Sequence, residues 1–175
     1  MRPVFLIGYR CTGKTITGKI LADLLDCDFV DTDQLLESRF NISIAQMVKE
    51  RGWDYFRERE TGILTGLDLE KSPVVATGGG IVLAKENREF IRQNGTCVWL
   101  FADAKVLTQR ICTDVKTDTQ RPDLTDDSLE QETIDMLKLR TPLYEELAQI
   151  TINTAEHSAK EAAQLIKRRF DNERV

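Results

Sequence analysis

The segment GYRCTGKT, Gly8 to Thr15, sets two glycines, a lysine and a threonine at the spacing G-x-x-x-x-G-K-[ST]. Glycines let a loop curl until successive N–H groups point inward, and the lysine and hydroxyl directly after the second glycine converge on the interior. Such a loop cradles a polyphosphate. Lys14 would reach the terminal phosphates, the Thr15 hydroxyl would ligate a magnesium ion, and the N-terminus of a following helix would add positive potential. A turn that merely joins strand to helix has no use for that lysine.

Other polar groups recur along the chain. In FVDTD, Asp31 and Asp33 on a strand would share one face, because side chains alternate with a period of two. Asp31 would then hold magnesium or its waters and Asp33 would accept a hydrogen bond from a substrate hydroxyl, while the alternative is a helix cap, a role best suited to Asp33. Arg57 and Glu60 in GWDYFRERE are three apart on a helix, which taken alone reads as an ion pair on a solvated face. TGGG, with Gly78, Gly79 and Gly80, ends a strand on the side where open parallel sheets bind ligands, or else is a flexible turn. Arg121 lies in the polar stretch TDVKTDTQRPDLTDD, either a loop tip that folds over phosphates or an ordinary solvated charge. Arg140, before Thr141 and Pro142, falls near a helix end whose dipole it complements.

These residues need a frame. Pro3 to Ile7 reads as a buried strand, and Ile16, Ile20, Leu21, Leu24 and Leu25 share one face of the helix after Gly13. FVDTD is a second strand. Ser43 caps a short helix, Gly52 separates it from a longer one over WDYFRERETGILTGLDLE, and SPVVATGGG is a third strand. ENREFIRQNG reads as a helix closed by Gly95, TCVWLFA as a strand and AKVLTQRIC as a helix. The polar stretch that follows, about 112–126, is long for an idle connection and reads as a lid. A helix from Leu129 to Arg140, the strand QITIN and a helix from Ala159 complete the chain. Alternating strands and helices predict an α/β fold of three layers: a mostly parallel sheet with helices on both faces.

The 175 residues, 41% of them hydrophobic, suit one domain over 1–175. With 24 Lys plus Arg against 29 Asp plus Glu, the net charge of -5 offers no broad attraction to nucleic acid or an anionic membrane. An anionic ligand must therefore meet a local basic cluster. With neither a bilayer-length apolar run nor a signal sequence, the expected location is the cytoplasm. Four separated cysteines and a single histidine, His157, argue against a zinc site, and Cys27, Cys97 and Cys112 read as small apolar residues.

Taken in order, GYRCTGKT, FVDTD, FRERE, ATGGG, QRPDLT and LRTPLY resemble the shikimate kinase family, and the whole chain is similar to its type II bacterial form. The resemblance runs from about Phe5 to Asn153. It implies the P-loop kinase fold, transfer of a phosphoryl group from ATP with Mg2+ to the 3-hydroxyl of shikimate, a monomer, and an acceptor region near 31–61. It also assigns residues. Gly8, Cys11, Thr12, Gly13, Lys14, Thr15 and Ile16 surround the nucleotide, with Arg110 against adenine and the Asn153 to Ala155 loop beside it. Arg121 meets the phosphates, and Thr15 and Asp31 hold the metal. Asp33 binds the acceptor hydroxyls, Arg57 and Arg140 clamp its carboxylate, Glu60 orients Arg57, and Gly78, Gly79 and Gly80 line the pocket. Lys14, Asp33 and Arg121 are the implied catalytic set.

One departure from the family pattern falls at Cys11, where many members have glycine. A positive φ there would make cysteine locally strained, and a thiol near a helix N-terminus tends toward a lowered pKa. Alkylation of Cys11, blocked by ATP, is therefore expected to inactivate. Competing readings are a gluconate or nucleoside monophosphate kinase and a nucleotide-controlled switch, although no N-K-x-D guanine-reading motif is present.

Overall fold

A computed structural model of the chain describes residues 2–70, 74–113 and 126–172. Strands β1 (Val4–Ile7), β2 (Phe29–Asp31), β3 (Val74–Ala76), β4 (Thr96–Phe101) and β5 (Ile150–Asn153) form one sheet in the order β2-β3-β1-β4-β5, every pair parallel. Helices α1 (Lys14–Leu25), α2 (Thr32–Phe40), α3 (Ile44–Thr65), α4 (Lys85–Asn94), α5 (Ala104–Thr113), α6 (Asp126–Leu147) and α7 (Ala159–Asn172) connect and flank them. The expected α/β architecture is thus present.

Strand alternation sorts the core into two layers. Val4 and Leu6 of β1 join Val98 and Leu100 of β4 under Leu21 of α1 and Ala162 and Ile166 of α7. Phe5 and Ile7 face the other way with Cys97, Leu64 of α3, Ile91 of α4, and Tyr144 and Leu147 of α6. All four β1 side chains are wholly buried, as a central parallel strand requires. Because β1 lies between β3 and β4, the loop after it opens at the C-terminal end of the sheet, where such sheets bind ligands.

Several expectations are corrected. Ile16 and Leu24 do not join the buried face of α1, being 62% and 39% exposed; Thr17, Gly18, Leu21 and Ala22 do. β2 stops at Asp31 and α2 begins at Thr32, so FVDTD is not a continuous strand and Asp33 stands in a first helical turn. α3 ends at Thr65 against Gly66 rather than continuing through LDLE, although Gly52 (φ 83) breaks it where expected. α6 runs through Pro142 to Leu147, which makes Arg140 an interior helix residue and removes the helix-end reading. Tyr144 and Leu147 explain the extension, since their burial offsets the backbone bond that proline forfeits. Cys97 is buried and Cys27 packs against the core, but Cys112 is exposed.

Candidate active site

The loop after β1 takes shape because glycine alone fits where it does. A Cβ on Gly8 would lie 2.1 Å from the Leu100 carbonyl, and Gly13 caps α1 at φ 87. Between them Cys11 also adopts positive φ, at 59°, the region that strains a side chain. Lys14 Nζ donates to the carbonyls of Gly8 and Tyr9, each at 2.8 Å, so its ammonium is held at the floor of the loop. Thr12 is turned inward, its hydroxyl donating to Tyr9 O at 2.8 Å.

The two aspartates do different work from what strand alternation implies. Asp31, not Asp33, caps α2: its Oδ1 accepts from the N–H groups of Asp33 and Gln34 at 3.1 and 3.3 Å. Its Oδ2 accepts from the Thr15 hydroxyl at 2.7 Å, linking β2 to the phosphate loop. A hydroxyl and a carboxylate side by side are hard oxygen donors, and a magnesium ion that keeps most of its waters and phosphate ligands asks little more of a protein. Among the described residues no three metal-ligating His, Cys, Asp or Glu side chains gather into a centre. Between the aspartates, Thr32 is buried and its Oγ1 accepts from Gly78 N at 3.2 Å, which ties α2 to the glycine loop.

That loop packs where any side chain would intrude. A Cβ on Gly78 would meet Asp33 Oδ1 at 2.6 Å and Glu60 Oε1 at 2.8 Å, and one on Gly80 would meet the Arg57 guanidinium at 2.3 Å. On Gly79 it would press on Arg10 N and Gly8 O at 3.3 and 3.4 Å, so the glycine loop and the phosphate loop adjoin. Arg57 Nη1 donates to Glu60 Oε2 at 2.6 Å, and the guanidinium also lies over the Phe56 and Trp53 rings at 4.9 and 5.4 Å. Glu60 is 2% exposed, so this is not a solvated-face pair. Arg140 reaches in from α6, with Nη1 3.3 Å from Gly79 O and its guanidinium over the Tyr9 ring at 5.5 Å.

Arg110 fastens the far side. It donates to Thr154 Oγ1 at 2.9 Å, to Thr154 O at 2.5 Å and to Cys11 O at 3.4 Å, bracing the phosphate loop against the segment after β5. A cavity of about 1240 Å³ joins these parts. Within the described part the expected site residues line it except Gly8, Thr12 and the Asn153 to Ala155 loop, and Ile16 borders it with its exposed side chain. Arg121 and nearly all of the expected lid lie outside the described residues. Arg10, Lys14, Lys19, Arg57, Arg110 and Arg140 form the local basic cluster that a chain of net charge -5 needs for an anion.

Burial sets the protonation balance. It lifts the Asp33 carboxyl to about 7, with Asp31 and Glu60 adding to the rise and Lys14 opposing it. Lys14 is driven the other way, to about 8, by burial against the attraction of Asp33 and Asp31. Glu60 is raised by burial despite Arg57. Two contributors escaped the sequence reading. Thr32 lies inside FVDTD, and Tyr144, whose hydroxyl donates to Gly79 O at 2.5 Å, ends LRTPLY one helical turn after Arg140, where the i,i+4 spacing is the available signal.

Residues 10–170 match the family model described as shikimate kinase. The chain belongs to the shikimate kinase family. A shikimate kinase of Syntrophus aciditrophicus is 40% identical across 99% of this chain and 93% of its own length, and shikimate kinase 2 of Shigella dysenteriae is 45% identical across 87% and 86%. A shikimate kinase from Acinetobacter baumannii, solved in complex with shikimate, superposes with a TM-score of 0.90 at 35% identity, covering 100% of this chain and 96% of that one. The protein is therefore a kinase with the P-loop kinase fold. A gluconokinase from Sinorhizobium meliloti, at 16% identity and TM-score 0.54, shares the fold alone.

Proposed function

We propose that the chain transfers the γ-phosphoryl group of ATP to the 3-hydroxyl of shikimate, forming shikimate 3-phosphate for aromatic amino acid synthesis, with the site residues acting as follows. The observation that carries the reading is the contact of the two loops: Gly79 packs on the phosphate loop while Arg57, Arg140, Asp33 and Glu60 converge on the same three glycines. An anionic acceptor held by the arginines thus lies next to the phosphoryl donor. Two guanidiniums suit a carboxylate, because each offers paired N–H donors at fixed geometry. Glu60 fixes the Arg57 fork from below.

Positioning and charge stabilisation do most of the work in phosphoryl transfer. Lys14 offsets charge on the transferring group, and its place at the loop floor keeps it there without reorganisation. Asp33 orients the attacking hydroxyl and accepts its proton; a carboxyl near 7 is better matched to that task than an ordinary one. Thr15 and Asp31 would hold magnesium, which supplies neutralisation of phosphate charge when bound. Arg110 faces the adenine, and Arg121 meets the phosphates from the lid at about 112–126. One domain over 1–175 carries the reaction, as a monomer in the cytoplasm; no helix among the described residues is long and apolar enough to cross a membrane.

The test is ADP release from ATP and magnesium by the purified protein, with shikimate, gluconate or a nucleoside monophosphate as acceptor. Release dependent on shikimate supports the reading. Release with another acceptor and none with shikimate overturns it.

A further inference from the structure

Tyr144 is buried in full, and its ring stacks on Trp99 of β4 with centroids 5.7 Å apart and planes 22° from parallel. Its hydroxyl donates to the Gly79 carbonyl at 2.5 Å. That carbonyl also takes the Arg140 Nη1 bond at 3.3 Å, so two donors one helical turn apart on α6 converge on one acceptor of the glycine loop. Filling the space between α6 and the sheet needs only an aromatic ring. A phenol adds a donor in a place where water is excluded, and burial drives its pKa up, so the proton stays on oxygen throughout the working range.

Arg140 itself has little else to fix it. Among the described residues its Nε has no hydrogen-bond partner, its Nη2 meets the weak acceptor Met136 Sδ at 3.6 Å, its guanidinium also bonds to the Tyr144 side chain, and the Tyr9 ring supports it from one side. The Gly79 carbonyl and the Tyr144 side chain, which themselves bond to each other, are thus its polar anchors. Pro142, between the two residues, has no N–H to give the Lys138 carbonyl, so this turn of α6 depends on tertiary contacts more than its neighbours do. Tyr144 supplies such a contact.

We propose that Tyr144 is a positioning residue for the acceptor: its hydroxyl holds the Gly79 carbonyl, and through it the Arg140 guanidinium, in the geometry that receives the acceptor's carboxylate. The proposal rests on the assignment of Arg140 to that carboxylate. A net hydrogen-bond contribution of this type corresponds to a factor of about 2–10 in affinity.

Three variants, Tyr144→Phe, Arg140→Ala and the double, decide the matter by steady-state kinetics and thermal melting. Tyr144→Phe is expected to raise the KM for shikimate about three- to tenfold while the KM for ATP and the melting temperature stay near wild type. In the Arg140→Ala background the same change is expected to add less than about twofold, because the group it positions is gone. An unchanged shikimate KM in Tyr144→Phe, full additivity in the double variant, or equal losses toward both substrates would overturn the proposal. If Arg140→Ala alone leaves the shikimate KM unchanged, it is the acceptor assignment that falls. Should Tyr144→Phe fold poorly, a fluorinated tyrosine at 144 keeps the ring and strengthens the donor. A shikimate KM below wild type then supports the role, and one at or above wild type rejects it.

Discussion

The Arg57 guanidinium lies flat against the backbone of Gly80, so near that a methyl group on that glycine would overlap its Nη2 at 2.3 Å. Gly80 itself has φ -98, which any residue adopts, so alanine there would push aside only the far end of a flexible side chain. Gly80→Ala is expected to raise the shikimate KM by about tenfold or more, the loss of one charge-assisted contact, with the ATP KM unchanged. Initial rates at varied acceptor and varied nucleotide check this. Parallel changes in both constants would show that the displaced arginine does not serve the acceptor alone.

Protonation of the ligand-free protein is the second handle. Burial lifts the Asp33 carboxyl to about 7 in the folded state, against about 3.9 in an unfolded chain. Between those values the native state keeps a proton that the unfolded state has released, so this group's contribution to stability falls as pH rises from about 4 to 7. Lys14, lowered to about 8, acts oppositely: its penalty is present below that pH and fades toward about 10. Asp33→Asn is thus expected to raise the melting temperature at pH 8, with the gain vanishing toward pH 4. A gain of equal size at every pH would assign it to something other than the carboxylate charge.

Cys11 pays for its place in the loop with a left-handed backbone, φ 59. Cys11→Gly is expected to stabilise the protein by up to about 1 kcal/mol, the relief of that conformation less the entropy glycine brings to the unfolded chain. Chemical denaturation measures the difference. Because Cys11 also lines the active-site cavity, alkylation should abolish turnover and ATP should slow it, with peptide mapping to place the adduct. Activity that survives full modification of Cys11 would refute this.

Asp31 joins a helix cap to the Thr15 hydroxyl, and Asp31→Asn keeps an oxygen for the cap while removing the charge. The expected result is a folded enzyme that needs about tenfold or more magnesium for half-maximal rate. A magnesium titration at saturating ATP and shikimate reads this directly. An unaltered requirement would leave Thr15 and the phosphates as sufficient ligands.

What the sequence made legible follows from how local each requirement was. Gly8, Gly13, Lys14 and Thr15 answer to one loop's sterics and were readable in eight residues. Arg57 and Glu60 read locally as a surface pair, because nothing in FRERE announces that α3 packs its Glu60 beneath the glycine loop. The Asp31 cap was misassigned since strand and helix abut without a linker, a junction that alternation cannot reveal. Pro142 looked like a helix end for the same reason: the burial of Tyr144 and Leu147 that carries α6 past it is tertiary. For Arg57 and Glu60 the family resemblance implied a role at the acceptor where spacing alone could not.

The central place of β1 bears on how the enzyme is made. Its partners in the sheet, β3 and β4, come much later in the chain, and the Leu100 carbonyl that crowds Gly8 belongs to the second of them. The nucleotide loop precedes both strands in the chain, so during synthesis the walls that set its shape emerge only after it. Nucleotide capture during synthesis is therefore expected to await β4, with ATP a ligand of the finished sheet.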